Sequence, residues 1–225
     1  MIKIINLQKR FGFNEVLKNI NLSLNKGQVY GIIGENGAGK TTLFRCIADL
    51  DNYEGEIYSE INPLKDHLGI LFTEPFFFTK ITGKEHIRLL CNARKKVAVD
   101  IDDKNIFDLP LDDYVSTYST GMKKKLALLA ILMQENDFYL LDEPFNGIDI
   151  HSSLIVIEII KKLKSLEKTV FIASHIFSTM RETCDEIYVL NKGEIIRTVL
   201  PNEFTAFENE MKEFAIGNKI NRLCL

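Results

Sequence analysis

Gly34-Glu35-Asn36-Gly37-Ala38-Gly39-Lys40-Thr41-Thr42 fits the pattern G-x-x-x-x-G-K-[ST] and stands between an apolar run, Val29 to Ile33, and a helix-like stretch, Thr41 to Leu50. Glycines let such a loop bend until its backbone N–H groups converge on one point. Lys40 brings a positive charge to the β- and γ-phosphates, and Thr41 offers a hydroxyl to Mg²⁺. The helix that follows aims its dipole at the same anion. A strand before the loop and a helix after it are the context this chemistry requires, so Gly34 through Thr42 are expected to cradle a nucleoside triphosphate.

Upstream of the cradle, Ile2 to Leu7 and Ile20 to Leu24 alternate apolar and polar residues, the pattern of half-buried antiparallel strands. Asn25-Lys26-Gly27 turns the chain into the strand before the cradle. Downstream, Gly55 to Ile61 and Leu68 to Phe72 read as strands, and Thr82 to Arg94 reads as a helix with Ile87, Leu90 and Cys91 on one face. Residues 95 to 118 are short, acidic and irregular, which suggests a lobe inserted in the main sheet. Gly121 to Gln134 reads as an amphipathic helix whose Lys123, Lys124 and Lys125 form a solvated face.

Phe138 to Leu141 and Val170 to Ala173 are continuous apolar runs, as a sheet covered on both faces requires, and Leu154 to Leu163 between them has helical period. Alternating β and α elements predict an α/β fold with a parallel sheet wrapped by helices. Asn191-Lys192-Gly193 marks a hairpin, and the tail from Pro201 is expected to end in a short helix.

Leu141-Asp142-Glu143-Pro144 ends one of the buried strands with two adjacent acids. Nucleotides sit at the carboxyl ends of such strands, so Asp142 is expected to reach the Mg²⁺ shell and Glu143 to fall beside the γ-phosphate. A carboxylate there can orient and polarise an attacking water. Ser174-His175 follows the next buried strand in the same way. A lone histidine at a strand end is more often structural, but its order after Asp142 and Glu143 favours an imidazole that helps hold the water.

Composition narrows the setting. The 225 residues, 46% hydrophobic, suffice to bury a sizeable core, and 28 Lys+Arg against 31 Asp+Glu give a net charge of -3 without the basic footprint of a nucleic-acid binder. Cys46, Cys91, Cys184 and Cys224 are far apart and form no C-x-x-C pair, which fits a reduced cytosolic setting and indicates neither zinc nor disulfides. The longest apolar stretch, Leu126 to Met133, is too short to cross a bilayer, and the first residues alternate like a strand rather than a signal peptide. Any membrane span must come from another polypeptide.

Tyr118-Ser119-Thr120-Gly121-Met122-Lys123-Lys124-Lys125-Leu126, standing before the helix that leads to Asp142, resembles the signature motif of ABC transporter ATP-binding subunits. The similarity covers essentially the whole chain, and this Y-S-T-G-M form of the usual L-S-G-G-Q looks like that of subunits serving exporter-type membrane partners. The resemblance implies a P-loop ATPase core with an N-terminal antiparallel β-layer and an inserted helical lobe at about 76–134, in one domain spanning 1–225. It also implies that Ser119, Thr120, Gly121 and Met122 meet the γ-phosphate held by the cradle of a second protomer, in a homodimer or a heterodimer with a related subunit. A helix N-terminus, with its free N–H groups, suits that task.

Further positions carry over one at a time. Phe11 stands where the family places an aromatic against adenine, although a Phe near an N-terminal strand is as often plain core. Asp149, in Asn146-Gly147-Ile148-Asp149, resembles an inter-subunit contact. Where the family carries a glutamine that reaches Mg²⁺, this chain has Thr73, with a usable oxygen but shorter reach, and Glu74 beside it either substitutes or is a surface acid. Phe76-Phe77-Phe78 lies where the family docks a cytoplasmic helix of the membrane subunit; core filling is the competing reading. The implied function is the ATP-driven motor of a transporter, peripheral on the inner face of the cell membrane through a transmembrane permease, with Mg²⁺ as cofactor. The alternatives are a weakly hydrolysing regulatory module and a soluble non-transport ATPase; the long coiled coil of repair ATPases and the tandem cassettes of ribosome-acting ones are both missing from the sequence.

Overall fold

In the computed structural model, which describes residues 1–216, two sheets share the cradle between them. The first has three antiparallel strands in the order β2-β1-β4: β1 (Ile2–Phe11), β2 (Asn14–Leu24) and β4 (Glu54–Ser59). The second has six strands in the order β5-β6-β7-β3-β8-β9: β3 (Val29–Ile33), β5 (Leu68–Leu71), β6 (Phe138–Asp142), β7 (Thr169–Ala173), β8 (Glu186–Asn191) and β9 (Glu194–Val199). All neighbours in it are parallel except the β8/β9 hairpin. That hairpin turns through Lys192 (φ 48°) and Gly193 (φ 84°), the left-handed pair a tight two-residue turn needs.

The central strands are buried on both faces, and their alternate residues enter different cores. Val29, Tyr139, Leu141, Val170 and Ile172 face a core shared with α2 (Gly83–Ala93), α3 (Thr120–Met133), α4 (Ile150–Ser165), α5 (Phe177–Thr183) and α6 (Phe204–Ile216). Tyr30, Ile32, Phe138, Leu140 and Phe171 face the other way, onto α1 (Lys40–Ile47) and the antiparallel sheet. Continuous apolar runs are therefore needed, since a polar residue on either side would be buried without a partner.

Boundaries differ from the sequence reading in ways that have physical causes. Helix α2 begins where expected because Thr82 and Glu85 form a reciprocal capping box. Helix α5 carries only seven residues, too few for its period to register in the sequence, yet it buries Phe177, Met180 and Thr183. Residues 95–118 are irregular as expected, but they are not peripheral: Ile101, Phe107, Leu109, Leu111 and Val115 are buried in the same core as α3. Helix α3 is not amphipathic, because Lys124 and every residue from Leu126 to Ile131 are buried. The lysine cluster is accordingly not a solvated face. Lys124 is 3% exposed, and only its neighbours retain contact with water.

The three aromatics Phe76-Phe77-Phe78 divide between the two roles. Phe77 turns inward against His86, ring centroids 4.5 Å apart, while Phe76 and Phe78 stay exposed and meet edge to face at 5.4 Å. Cys46, Cys91 and Cys184 are buried free thiols, and burial pushes Cys46 up to about 11. Cys224 lies outside the described residues. Among the described residues, no helix is long and apolar enough to cross a membrane.

Candidate functional site

The cradle follows β3 and opens α1. Gly37 (φ 83°) and Gly39 (φ 112°) occupy backbone conformations that side chains disfavour, and at Gly39 an added Cβ would also lie 2.8 Å from Leu17. A cavity of about 470 Å³ opens above this loop at the carboxyl ends of β3, β6 and β7. Of the cradle residues, Asn36, Gly37, Gly39, Lys40, Thr41 and Thr42 line it, together with Thr73, Asp142, Glu143 and His175. Residues distant in sequence thus converge on one volume, as the order of motifs predicts.

Lys40 folds back over its own loop, with Nζ donating to Gly34 O (2.7 Å) and Glu35 O (3.3 Å). Gly34 is required by a close approach: a Cβ there would lie 2.3 Å from Leu190 O. Glu35 is exposed, and Ala38 is buried with its carbonyl accepting from the Gly193 N–H. These three shape the loop from behind rather than line the cavity.

Asp142 is 1% exposed, and its Oδ2 accepts from Thr41 Oγ1 (2.7 Å) and Thr73 Oγ1 (2.9 Å). Among the described residues, its buried Oδ1 has no hydrogen-bond partner. An unpaired carboxylate oxygen in such a place is costly, and it marks where a further positive group would bind. Three hard oxygen donors, two hydroxyls and a carboxylate, match the preferences of Mg²⁺. Thr73 stands in the cavity wall with its hydroxyl committed to Asp142. Glu74, by contrast, is exposed and lines no part of the cavity. Thr73→Gln is expected to raise the ATPase rate or leave it unchanged, because Thr41 still holds Asp142; a marked loss in a steady-state assay would give Thr73 a role of its own.

Glu143 has φ 51°, a left-handed backbone that costs a non-glycine residue about 1–2 kcal/mol. The conformation is held from every side. Its N–H donates to Ala173 O (2.8 Å), and its carbonyl accepts from the Asn146 N–H (3.1 Å) and from Lys124 Nζ (2.7 Å). Its carboxylate meets His175 Nδ1 at 2.8 Å. Burial pushes the Lys124 ammonium below its usual pKa, and the nearby Asp142 and Glu143 carboxylates counter that.

The remaining candidates lie elsewhere. Phe11 is half exposed at the end of β1, not core, and Lys9 Nζ sits 4.6 Å from its ring centroid. Ser119 caps α3, its hydroxyl accepting from the Met122 N–H at 3.2 Å. Ser119 and Thr120 are exposed, and none of Ser119, Thr120, Gly121 or Met122 lines the cavity of their own chain. Asp149 caps α4 through Ser152 N (2.8 Å) and Ser152 Oγ (2.6 Å), and those bonds hold its carboxyl well below the usual carboxylate range. Two lining residues escaped the sequence reading, Val16 and Asn146. Val16 is an ordinary apolar residue in the mixed strand β2 and carries no chemical signal, whereas Asn146 follows Glu143 by three residues in the loop that leads to Asp149.

A glycine-rich loop between strand and helix, a histidine after the adjacent strand β7 and an acid pair at the end of β6, one strand further out, define a P-loop nucleoside triphosphatase. The family model described as ABC transporter matches residues 17–146, and the chain belongs to that family as an ATP-binding, ATP-hydrolysing subunit. It is 32% identical to the ABC transporter ATP-binding protein NatA of Bacillus subtilis (strain 168), covering 99% of this chain and 99% of that one. It is 31% identical to the bacitracin transport ATP-binding protein BcrA of Enterococcus faecalis, covering 97% and 75%. Among solved structures, the ATP-binding subunit of an ABC transporter superposes with a TM-score of 0.83 at 22% identity over 93% of both chains. A dimeric structure of a post-hydrolysis state of an ATP-binding cassette, bound to ADP and Pi, gives 0.81 at 22% over 89% and 99%. At such identity the structures speak to the fold.

Proposed function

We propose that this chain is the motor of an exporter-like transporter, in which ATP bound in the cradle is closed over by the Ser119–Met122 helix tip of a second subunit. Either two copies of the chain or one copy and a related subunit make the pair. The observation that carries the reading is the meeting of Glu143 with His175 in the same cavity as Lys40, Thr41 and Asp142. In this reading Lys40 leaves the carbonyls of Gly34 and Glu35 for the β- and γ-phosphates, where its charge matters more. Glu143 accepts a proton from the attacking water, and His175 fixes the carboxylate through the Nδ1 contact. Phe11 stacks on adenine, and Asp149 reaches the neighbouring subunit near its cradle.

Thr41 and Asp142, with Thr73 behind them, would hold Mg²⁺, which when bound neutralises charge on the triphosphate. The spread negative charge of phosphoryl transfer then faces Lys40, the loop N–H groups and the partner's helix tip. ATP favours the closed pair over the open one, and that difference in affinity is what can work on a membrane subunit. The domain organisation in this reading is one ATPase domain over 1–225 with a helical lobe at about 76–134. Exposed Phe76 and Phe78 on that lobe support a permease that covers them and brings the chain to the inner face of the membrane, since such a patch is unfavourable in water.

A second reading, a regulatory module that hardly hydrolyses, draws on Thr73, whose hydroxyl is committed to Asp142. Affinity capture of the tagged chain from detergent-solubilised membranes, followed by steady-state ATPase measurement, separates the two. The motor reading expects a multi-span protein in the complex and Mg²⁺-dependent phosphate release. Recovery of the chain without such a companion contradicts the permease assignment, and negligible turnover in the complex favours regulation.

A further inference from the structure

Gly121, Lys124 and Lys125 lie at i, i+3 and i+4 of α3, hence on one face, and all three meet the same seven-residue segment, Glu143 to Asp149. Gly121 approaches its middle so closely that a Cβ would stand 2.7 Å from Gly147 O. Lys125 Nζ reaches its far end, at 3.4 Å from Asp149 Oδ2 and 3.2 Å from Ser152 Oγ. Lys124 Nζ reaches its near end, 2.7 Å from the carbonyl of Glu143. A helix tip and the loop carrying the base are therefore fastened at three points within one chain.

Lys124 is the member whose presence packing does not explain. A buried ammonium loses its hydration, and apolar residues of similar volume usually fill such a slot at no loss of stability. Its hydrogen bond goes to the backbone oxygen of the one residue in the segment's first turn that adopts a disfavoured left-handed conformation. The Asn146 N–H alone, at 3.1 Å from that oxygen, is a neutral and weaker restraint.

We infer that Lys124 is a positioning residue for Glu143: by gripping its carbonyl, Lys124 fixes the direction of the carboxylate and ties it to the helix tip at Ser119–Met122. This rests on the proposed function, in which that tip contacts the triphosphate of the other subunit. Under it, displacement of the tip on closure is passed to the base of the same chain, so each nucleotide affects hydrolysis of the other.

The test compares wild type, Lys124→Met, Lys124→Arg, Glu143→Gln and the double variant Lys124→Met/Glu143→Gln in single-turnover and steady-state ATPase assays, with fluorescent ATP binding and thermal melting alongside. Lys124→Met is expected to lower kcat about 10- to 100-fold, the scale of a small misplacement of a reacting group, while KM, ATP affinity and Tm stay near wild type. Lys124→Arg should recover most of the rate. In the Glu143→Gln background, Lys124→Met should produce no further loss, because the lysine acts through the base. Wild-type kcat in Lys124→Met, or a loss that multiplies with that of Glu143→Gln, would overturn the inference while leaving the base assignment standing. Full turnover in Glu143→Gln would instead overturn the base assignment and this inference with it. Should Lys124→Met fail to fold, Lys124→Gln carries the same comparison, since its amide is uncharged and too short to reach the carbonyl equally well.

Discussion

Glu143→Gln is expected to lower steady-state ATP turnover about 100- to 10,000-fold, the range a positioned general base contributes, while ATP binding is retained. Glutamine keeps the volume and a carbonyl oxygen, so the contact with His175 can persist in altered form, but an amide cannot take a proton from water. The backbone restraints on residue 143 come from Ala173, Asn146 and Lys124 and do not involve its side chain. A collapse of the fold is therefore not expected to accompany the loss, and a melting curve checks this. Turnover near wild type would remove Glu143 from the chemistry and leave the cavity a binding site only.

Lys40→Ala is expected to weaken ATP binding about 10- to 100-fold, as the loss of one charge-assisted hydrogen bond worth about 1.5–3 kcal/mol implies. Lys40 is buried beside a cradle whose other donors are backbone N–H groups, and its ammonium bonds to Gly34 O and Glu35 O. Truncation frees those carbonyls to the open cavity, where water can bond them, so the variant should fold. Titration with fluorescent ATP measures the change. Undiminished affinity would contradict the cradle assignment.

Much of this site is legible in the sequence because its chemistry is local. A phosphate loop needs glycines at fixed offsets, and the strand and helix around it announce themselves by period. Asp142, Glu143 and His175 are legible because each stands at or just past the carboxyl end of a buried strand, and parallel strands bring those ends to one edge. What could not be read depends on pairs far apart in the chain. Three consecutive lysines look solvated in any sequence; Lys124 is buried only because the segment from Glu143 folds across α3. The role of Thr73 likewise needed the position of Asp142, 69 residues later. Phe76, Phe77 and Phe78 could not be divided between core and surface until His86 fixed which ring turns inward.

Asp149 shows the limit from the other side. It stands in the loop after Glu143, but both carboxylate oxygens already serve the N-terminus of α4 within the chain. An inter-subunit role must therefore share a carboxylate that is also a helix cap, and it is compatible with that duty because the side chain remains solvent-accessible.

The central claim, that one triphosphate is held by the cradle of one subunit and the α3 tip of another, is tested most directly by sedimentation velocity with ATP. Glu143→Gln, which binds without hydrolysing, should sediment as a dimer. Adding Thr120→Glu should abolish that dimer while leaving the ATP affinity of the monomer unchanged, because an acid in the first turn suits its own helix dipole but repels a γ-phosphate. A Glu143→Gln protein that stays monomeric in saturating ATP, or a dimer that Thr120→Glu leaves intact, would contradict the account.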